Sequence, residues 1–284
     1  MSNITNANRD TVLVTTEWLE EHLDDPGIRI VDARNGDNYA KSHIVGAVVY
    51  DGTPFLRDDG DVIGASPFAA LMSRIGVDHE TTVVTYDDGN NLFAARLWWV
   101  LNYYGHTQVK ILDGGWDLWA AEGRPVAVAR SLPIPARFEA HPHEVWIASS
   151  EYVKASIGHA DRVILDVRGN EEWTRTESTG QTPPGHIPGA VHLVWTDVID
   201  PESKRFKPAP DLRRMFAYIG VSQEKEVITY CQGGVRAAHT LLALKLADFD
   251  NVRNYEGSWA AWSRSSLPVE HHSAALAVDS TSRT

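Results

Sequence analysis

The sequence predicts an α/β protein made of two tandem domains, each a parallel sheet flanked by helices on both faces. Three observations carry this. Segments of the first half recur in the same order about 143 residues later. Within each copy, short apolar strands alternate with helical stretches, the pattern of parallel strands joined by crossover helices. In the second copy one such strand runs into the only cysteine of the 284 residues, just before a helix.

The repeats fix the register of the duplication. IVDAR at 30–34 echoes ILDVR at 164–168, and HIVGAV at 43–48 matches HIPGAV at 186–191. IGV at 75–77 returns at 219–221, and VVTY at 83–86 returns as VITY at 227–230. DGGWDLW pairs with EGSWAAW, where Trp116 and Trp119 keep the spacing of Trp259 and Trp262. The first copy is therefore read as 12–128, a connector as 129–145, the second copy as 146–270 and a disordered tail as 271–284.

In the first copy the expected pieces are 29–32, 68–75, 82–86, 92–103 and 109–112. Their counterparts are 163–166, 212–219, 226–230, 236–247 and 252–255. Thr15 or Thr16 is an expected N-cap before Trp18, and Ser149 or Ser150 before Tyr152. Three prolines within 131–144 suit an extended connector. The second copy is longer between Glu172 and Gly185, a stretch of loop composition placed to shape a pocket.

Hydrophobic residues at 43% suffice for packed cores. The formal charge of −12 argues against nucleic acid or an anionic membrane surface as partner. An anionic substrate would need a local positive site. No run approaches the ~18 apolar residues of a membrane span, and the polar start lacks a signal-peptide core, so a cytoplasmic protein is expected. A single cysteine forms no internal disulfide, and no metal site is expected.

The stretch 227–247 concentrates the chemistry. Val227, Ile228 and Tyr230 form a buried strand ending at Cys231. Gly233 and Gly234 permit a tight loop, and from Arg236 onward Ala and Leu favour helix. A lone cysteine is ordinarily a small buried hydrophobe. Two glycines and an arginine directly after it suit a nucleophile that holds an anion, because a loop closed by a helix N-terminus presents amide donors. In the first copy YDDGNNLFAA replaces YCQGGVRAA, so Asp87 stands where Cys231 does. That copy keeps the scaffold and loses the nucleophile.

The chain resembles the tandem-domain rhodaneses, the thiosulfate and 3-mercaptopyruvate sulfurtransferases. The resemblance runs from about residue 12 to 269. Asp32/Arg34 and Asp166/Arg168, GHIPGA at 185–190, the loop 231–236 and EGSW at 256–259 carry it. It implies an inactive first domain and a ping-pong reaction in the second. The Cys231 thiolate would take the outer sulfur of a small donor as a persulfide and pass it to cyanide or a thiol acceptor, without metal or organic cofactor.

The expected donor-binding residues are Gln232, Gly233, Gly234 and Val235 through the loop, Arg236 as fixed cation, and Arg168 and Arg175 nearby. Thiosulfate-specific members resemble C-R-K-G-V-T and mercaptopyruvate-specific ones C-G-S-G-V-T. Here Gln232 and Gly233 are uncharged and Arg236 replaces the threonine, which favours thiosulfate as donor and keeps 3-mercaptopyruvate as alternative. Glu171 and Glu172 fall where the family has a substrate-contacting arginine. A non-enzymatic persulfide carrier is the other alternative. A cysteine phosphatase or arsenate reductase is disfavoured, because such phosphatases place five residues between Cys and Arg and this loop has four.

Overall fold

The computed structural model describes residues 7–50, 62–179 and 182–271. The expected tail, apart from His271, lies outside the described residues. In chain order the strands are β1 Leu13–Val14, β2 Ile28–Asp32, β3 His43–Ile44, β4 Val48–Val49, β5 Thr82–Tyr86, β6 Val109–Leu112 and β7 Val126–Ala127. The second half adds β8 Ile147–Ala148, β9 Arg162–Asp166, β10 Val191–His192, β11 Glu226–Tyr230 and β12 Val252–Tyr255.

Each half forms a five-stranded parallel sheet. The orders are β1-β6-β5-β2-β4 and β10-β9-β11-β12-β8, the same arrangement read from opposite edges. β3 and β7 pair separately and antiparallel. The central strands β5 and β11 read TVVTY and EVITY, with their last four residues buried. Such continuous burial is what a strand covered by helices on both faces requires.

Local chemistry sets the boundaries. Thr15 and Ser149 accept the amides of Trp18 and Tyr152, each at 3.2 Å, and so cap equivalent helices in the two copies. The helix expected at 212–219 begins earlier, at Ala209–Tyr218, because Pro210 is tolerated in a first turn, where amides have no intrahelical acceptor. The connector holds no regular structure until the short turn Glu144–Trp146.

The Asp-x-Arg motif ties the end of a strand to its own turn and to a loop carbonyl in both copies. Arg34 Nη2 reaches Asp32 Oδ2 at 2.7 Å, and Arg168 Nη2 reaches Asp166 Oδ2 at 2.7 Å. Tyr86 and Tyr230, at the ends of the central strands, accept the amides of Ile44 and Ile187 at 3.2 Å each.

Helices Leu92–Tyr103 and Val235–Leu246 pack against one another across the junction of the halves. Both are buried nearly all round, and one hydrophobic cluster runs through them from Trp99 and Leu101 to Leu241 and Leu244. Smaller clusters cover the outer faces, around Trp119 in one half and Trp259 in the other. Polar ties cross the junction too. Arg9 donates to the Phe206 and Lys207 carbonyls at 2.9 and 3.1 Å, and His239 Nε2 donates to the Asn90 carbonyl at 2.9 Å.

His239 is fully buried, and its Nδ1 has no partner among the described residues. Burial pushes its imidazole down to about 4 from an ordinary 6.5, only partly opposed by the Asn90 carbonyl. A base depressed by folding contributes stability above its unfolded value, and that contribution is lost as pH falls through the folded one. Wild-type protein is therefore expected to lose on the order of 2 kcal/mol more stability between about pH 7 and pH 4.5 than His239→Phe does. Urea unfolding of both proteins at the two pH values checks this, and equal losses would contradict it.

Candidate active site

Cys231 follows the last residue of β11, at the carboxyl end of the sheet, where open α/β folds place their ligands. The chain then turns through Gln232 and Gly233 to Gly234, which sits in the left-handed region at φ 78° and caps helix Val235–Leu246. A Cβ at Gly234 would lie 2.6 Å from Glu256 Oε2, so both backbone conformation and space require glycine.

The two ends of the loop are pinned by the segment after β12. Cys231 N and Gly234 N both donate to Ser258 Oγ, at 3.1 and 3.0 Å. Trp259 N reaches the Cys231 carbonyl and Ala260 N the Gln232 carbonyl, each at 3.0 Å. The amides of Gln232, Gly233, Val235, Arg236 and Ala237 then have no protein acceptor among the described residues. They are the unspent donors of a turn and a helix start, the groups that bind anions.

Cys231 is 1% exposed and belongs to the shared core, with the helix start directly after its loop. Arg236, one residue into that helix, does not stand alone. Its Nη1 and Nη2 grip both oxygens of Glu172 at 2.5 and 2.9 Å. Burial works against the guanidinium charge. The bonds to Glu172, the nearness of Cys231 and the Glu172 carboxylate charge outweigh that, so Arg236 is raised above its ordinary value. Burial likewise raises Glu172, and Arg236, the Gly169 amide and Arg168 more than reverse it, leaving the carboxyl lowered.

The other expected residues are placed differently. Arg168 is buried, bound to Asp166 and to the Gly185 carbonyl at 2.8 Å, and lies over the Trp259 ring at 4.7 Å. Arg34 in the first copy makes the equivalent bonds to Asp32 and a carbonyl. Arg175 is half-buried on the loop after helix Asn170–Trp173, with no ion-pair partner among the described residues. Trp259 is fully buried and donates to the Pro183 carbonyl at 3.1 Å.

The first copy shows the same loop occupied by its own side chain. Asp87 Oδ1 accepts the amides of Gly89 and Asn91 at 2.7 and 3.0 Å, and Oδ2 those of Phe93 and Ala94 at 2.6 and 2.8 Å. Burial raises this carboxyl to about 6 against the pull of those amides. In the repeat register Phe93 and Ala94 correspond to Arg236 and Ala237, whose amides are unspent.

Sequence reading missed Ser258 and Asn254, and it noticed Glu172 only as a missing arginine. Ser258 leaves a legible trace, because DGGW and EGSW differ at that place. Gly115 takes φ 58° in the first copy, where a Cβ would lie 2.4 Å from the Asp87 carbonyl. Ser258 takes a similar φ of 49°, a strained conformation for a residue with a side chain, and its hydroxyl receives two loop amides in return. Glu172 and Arg236 are 64 positions apart, and no local pattern pairs them.

Among the described residues no group of three His, Cys, Asp or Glu could hold a metal ion, and no helix is long and apolar enough to cross a membrane. The arrangement offers a sulfur nucleophile, free amides and a guanidinium, a set suited to an anionic sulfur species.

Known proteins resemble this chain along almost its whole length. The family model for the rhodanese-like domain matches twice, at residues 15–122 and 149–265. The sulfur carrier protein TtuD of Thermus thermophilus is 34% identical, covering 88% of this chain and 93% of that protein. The thiosulfate sulfurtransferase of Corynebacterium glutamicum is 35% identical, over 91% of this chain and 90% of its own. The crystal structure of SseA from Escherichia coli, described as a 3-mercaptopyruvate sulfotransferase, superposes with a TM-score of 0.79 at 31% identity, over 88% of this chain and 99% of that one. With both halves matched and relatives aligned along almost its whole length, the chain belongs to the rhodanese family, as a tandem-domain sulfurtransferase.

Proposed function

We propose that the protein moves a sulfane sulfur from thiosulfate to cyanide or a thiol through a persulfide on Cys231. Residues 146–270 act as the catalytic domain, 12–128 as its inactive partner and 129–145 as the connector. The Cys231 thiolate attacks the outer sulfur of thiosulfate. As the new S–S bond forms, the bond to the sulfonate sulfur breaks and sulfite leaves with its electron pair. The acceptor then attacks the terminal persulfide sulfur, taking it as thiocyanate or a new persulfide, and the thiolate returns. Atoms and electrons balance without an external redox partner. A reducing compartment such as the cytoplasm suits a reactive free thiolate, which an oxidising one would trap in a mixed disulfide.

The contrast between the two loops carries this reading. Asp87 fills its cradle with a carboxylate, whereas the amides after Cys231 remain unspent and can receive the anionic terminal sulfur. The loop amides of Gln232, Gly233 and Val235 hold that sulfur, and Gly234 sets the turn. Arg236 faces the leaving sulfite, Arg168 supplies a fixed charge behind the loop, and Arg175 faces the donor's approach.

Two observations keep neighbouring readings in view. The likeness to SseA favours 3-mercaptopyruvate as an alternative donor, and the likeness to TtuD favours a persulfide carrier. Rates with both donors and with thiol acceptors separate them.

Cys231→Ser is expected to abolish cyanide-dependent thiocyanate release, and donor-treated wild type to gain about 32 Da that cyanide removes. Intact-mass spectrometry before and after cyanide decides this, and a loaded Cys231→Ser protein would refute the assignment. Glu172 competes with an anionic donor for Arg236. Glu172→Gln should therefore raise kcat/KM for thiosulfate several-fold, and Arg236→Leu should lower it about 10- to 100-fold, the loss of one charge-assisted bond. Steady-state cyanolysis reads both, and a fall in Glu172→Gln would show that the pair serves catalysis intact.

A further inference from the structure

The loop that carries Cys231 is braced from the other half of the molecule. Arg96 lies on helix Leu92–Tyr103 of the inactive copy, fully buried, with its guanidinium over the Trp99 ring at 4.8 Å. Its fork crosses the junction to both oxygens of Glu256, with Nη1 to Oε2 at 2.8 Å and Nη2 to Oε1. Glu256 opens the EGSW segment and is buried as deeply.

The brace continues to the loop through two further contacts. Asn254 Nδ2 donates both to Glu256 Oε2 at 3.0 Å and to the Gly234 carbonyl at 3.1 Å. Glu256 Oε2 also lies so close to the Gly234 Cα that no side chain would fit between them. Gly234 sets the turn from which the amides of Val235, Arg236 and Ala237 emerge. The path from Arg96 to those amides thus consists of a bidentate ion pair, one amide side chain and a steric stop.

The repeat register sharpens the point. Arg96 and His239 occupy equivalent places, 143 residues apart, and each reaches across the junction to the other copy's loop region. The catalytic copy has no arginine at that place, so this brace comes from the inactive copy.

Resting on the proposed role of Cys231, we infer that Arg96 is a positioning residue for sulfur transfer, supplied by the inactive domain to hold the Cys231 loop in its anion-binding shape. It touches neither donor nor sulfur. It acts through Glu256 and Asn254 on Gly234.

The test uses the full chain. Arg96→Met combined with Glu256→Gln replaces the buried pair by neutral groups of similar size, a change buried pairs often tolerate. Arg96→Lys is a second, milder variant that keeps the charge and loses the fork. In folded protein, shown by a cooperative urea transition, kcat for thiosulfate is expected to fall about 100-fold in the double variant and about 10-fold in Arg96→Lys. KM should change by less than about threefold. The pH profile of Cys231 alkylation by iodoacetamide should move up by about one unit in both, because misaligned amides stabilise the thiolate less. A purely structural pair would lower the urea midpoint and leave the alkylation profile and kcat in place. That result in either folded variant overturns the inference. Wild type that takes up no cyanide-removable sulfur would instead overturn the Cys231 reading on which it rests.

Discussion

Backbone amides can serve an anion at Cys231 only while Gly234 stays in the left-handed region with its carbonyl and amide both held. The site depends on that constraint. The Gly234 amide goes to Ser258 and its carbonyl to Asn254, and Glu256 presses against its Cα. Cys231 N shares the Ser258 hydroxyl, so one side chain spans the loop from the nucleophile to the helix cap. With these groups spent on geometry, the intervening amides stay free for a ligand. A charged side chain could supply the same electrostatic attraction, but it would bring its own counter-ion demand and rotamer freedom.

Duplication lets one molecule show both states of such a loop. In the first copy a carboxylate has folded into the amides and closed the cradle at the cost of burying a charge, which raises Asp87 to about 6. In the second copy the shorter cysteine side chain leaves the equivalent amides without a protein acceptor among the described residues. The exchange of Gly115 for Ser258 accompanies that of Asp87 for Cys231. Where Asp87 organises its loop by its own side chain, the cysteine cannot, and a hydroxyl from the neighbouring segment receives the Cys231 and Gly234 amides.

The electrostatics are more restrained than a cysteine-arginine loop suggests. Arg236 meets Glu172 through two bonds, in a chain whose formal charge is −12. The pair keeps the guanidinium pointed and partly neutralised, so a donor gains less from it than from an unpaired cation. Arg168 and Arg34 are tied into equivalent knots in both copies, including the copy without a nucleophile, which explains why the Asp-x-Arg motif recurs irrespective of chemistry.

Much of this was written locally in the chain. Alternating apolar segments and repeats placed β5, β6, β11, β12 and the helix Leu92–Tyr103 at their observed limits, because buried parallel strands and their caps are set by near neighbours in sequence. Composition around Cys231 foretold a strand, a tight turn and a helix start for the same reason. The tertiary structure alone decided which partners close around that turn. Glu172 to Arg236, Ser258 to Cys231 and Arg96 to Glu256 are separated by 64, 27 and 160 residues, and they meet only after crossovers and domain packing have brought the segments together. Charge pairing and hydrogen bonding act over a few ångströms, so their partners are chosen by the fold and not by spacing along the chain.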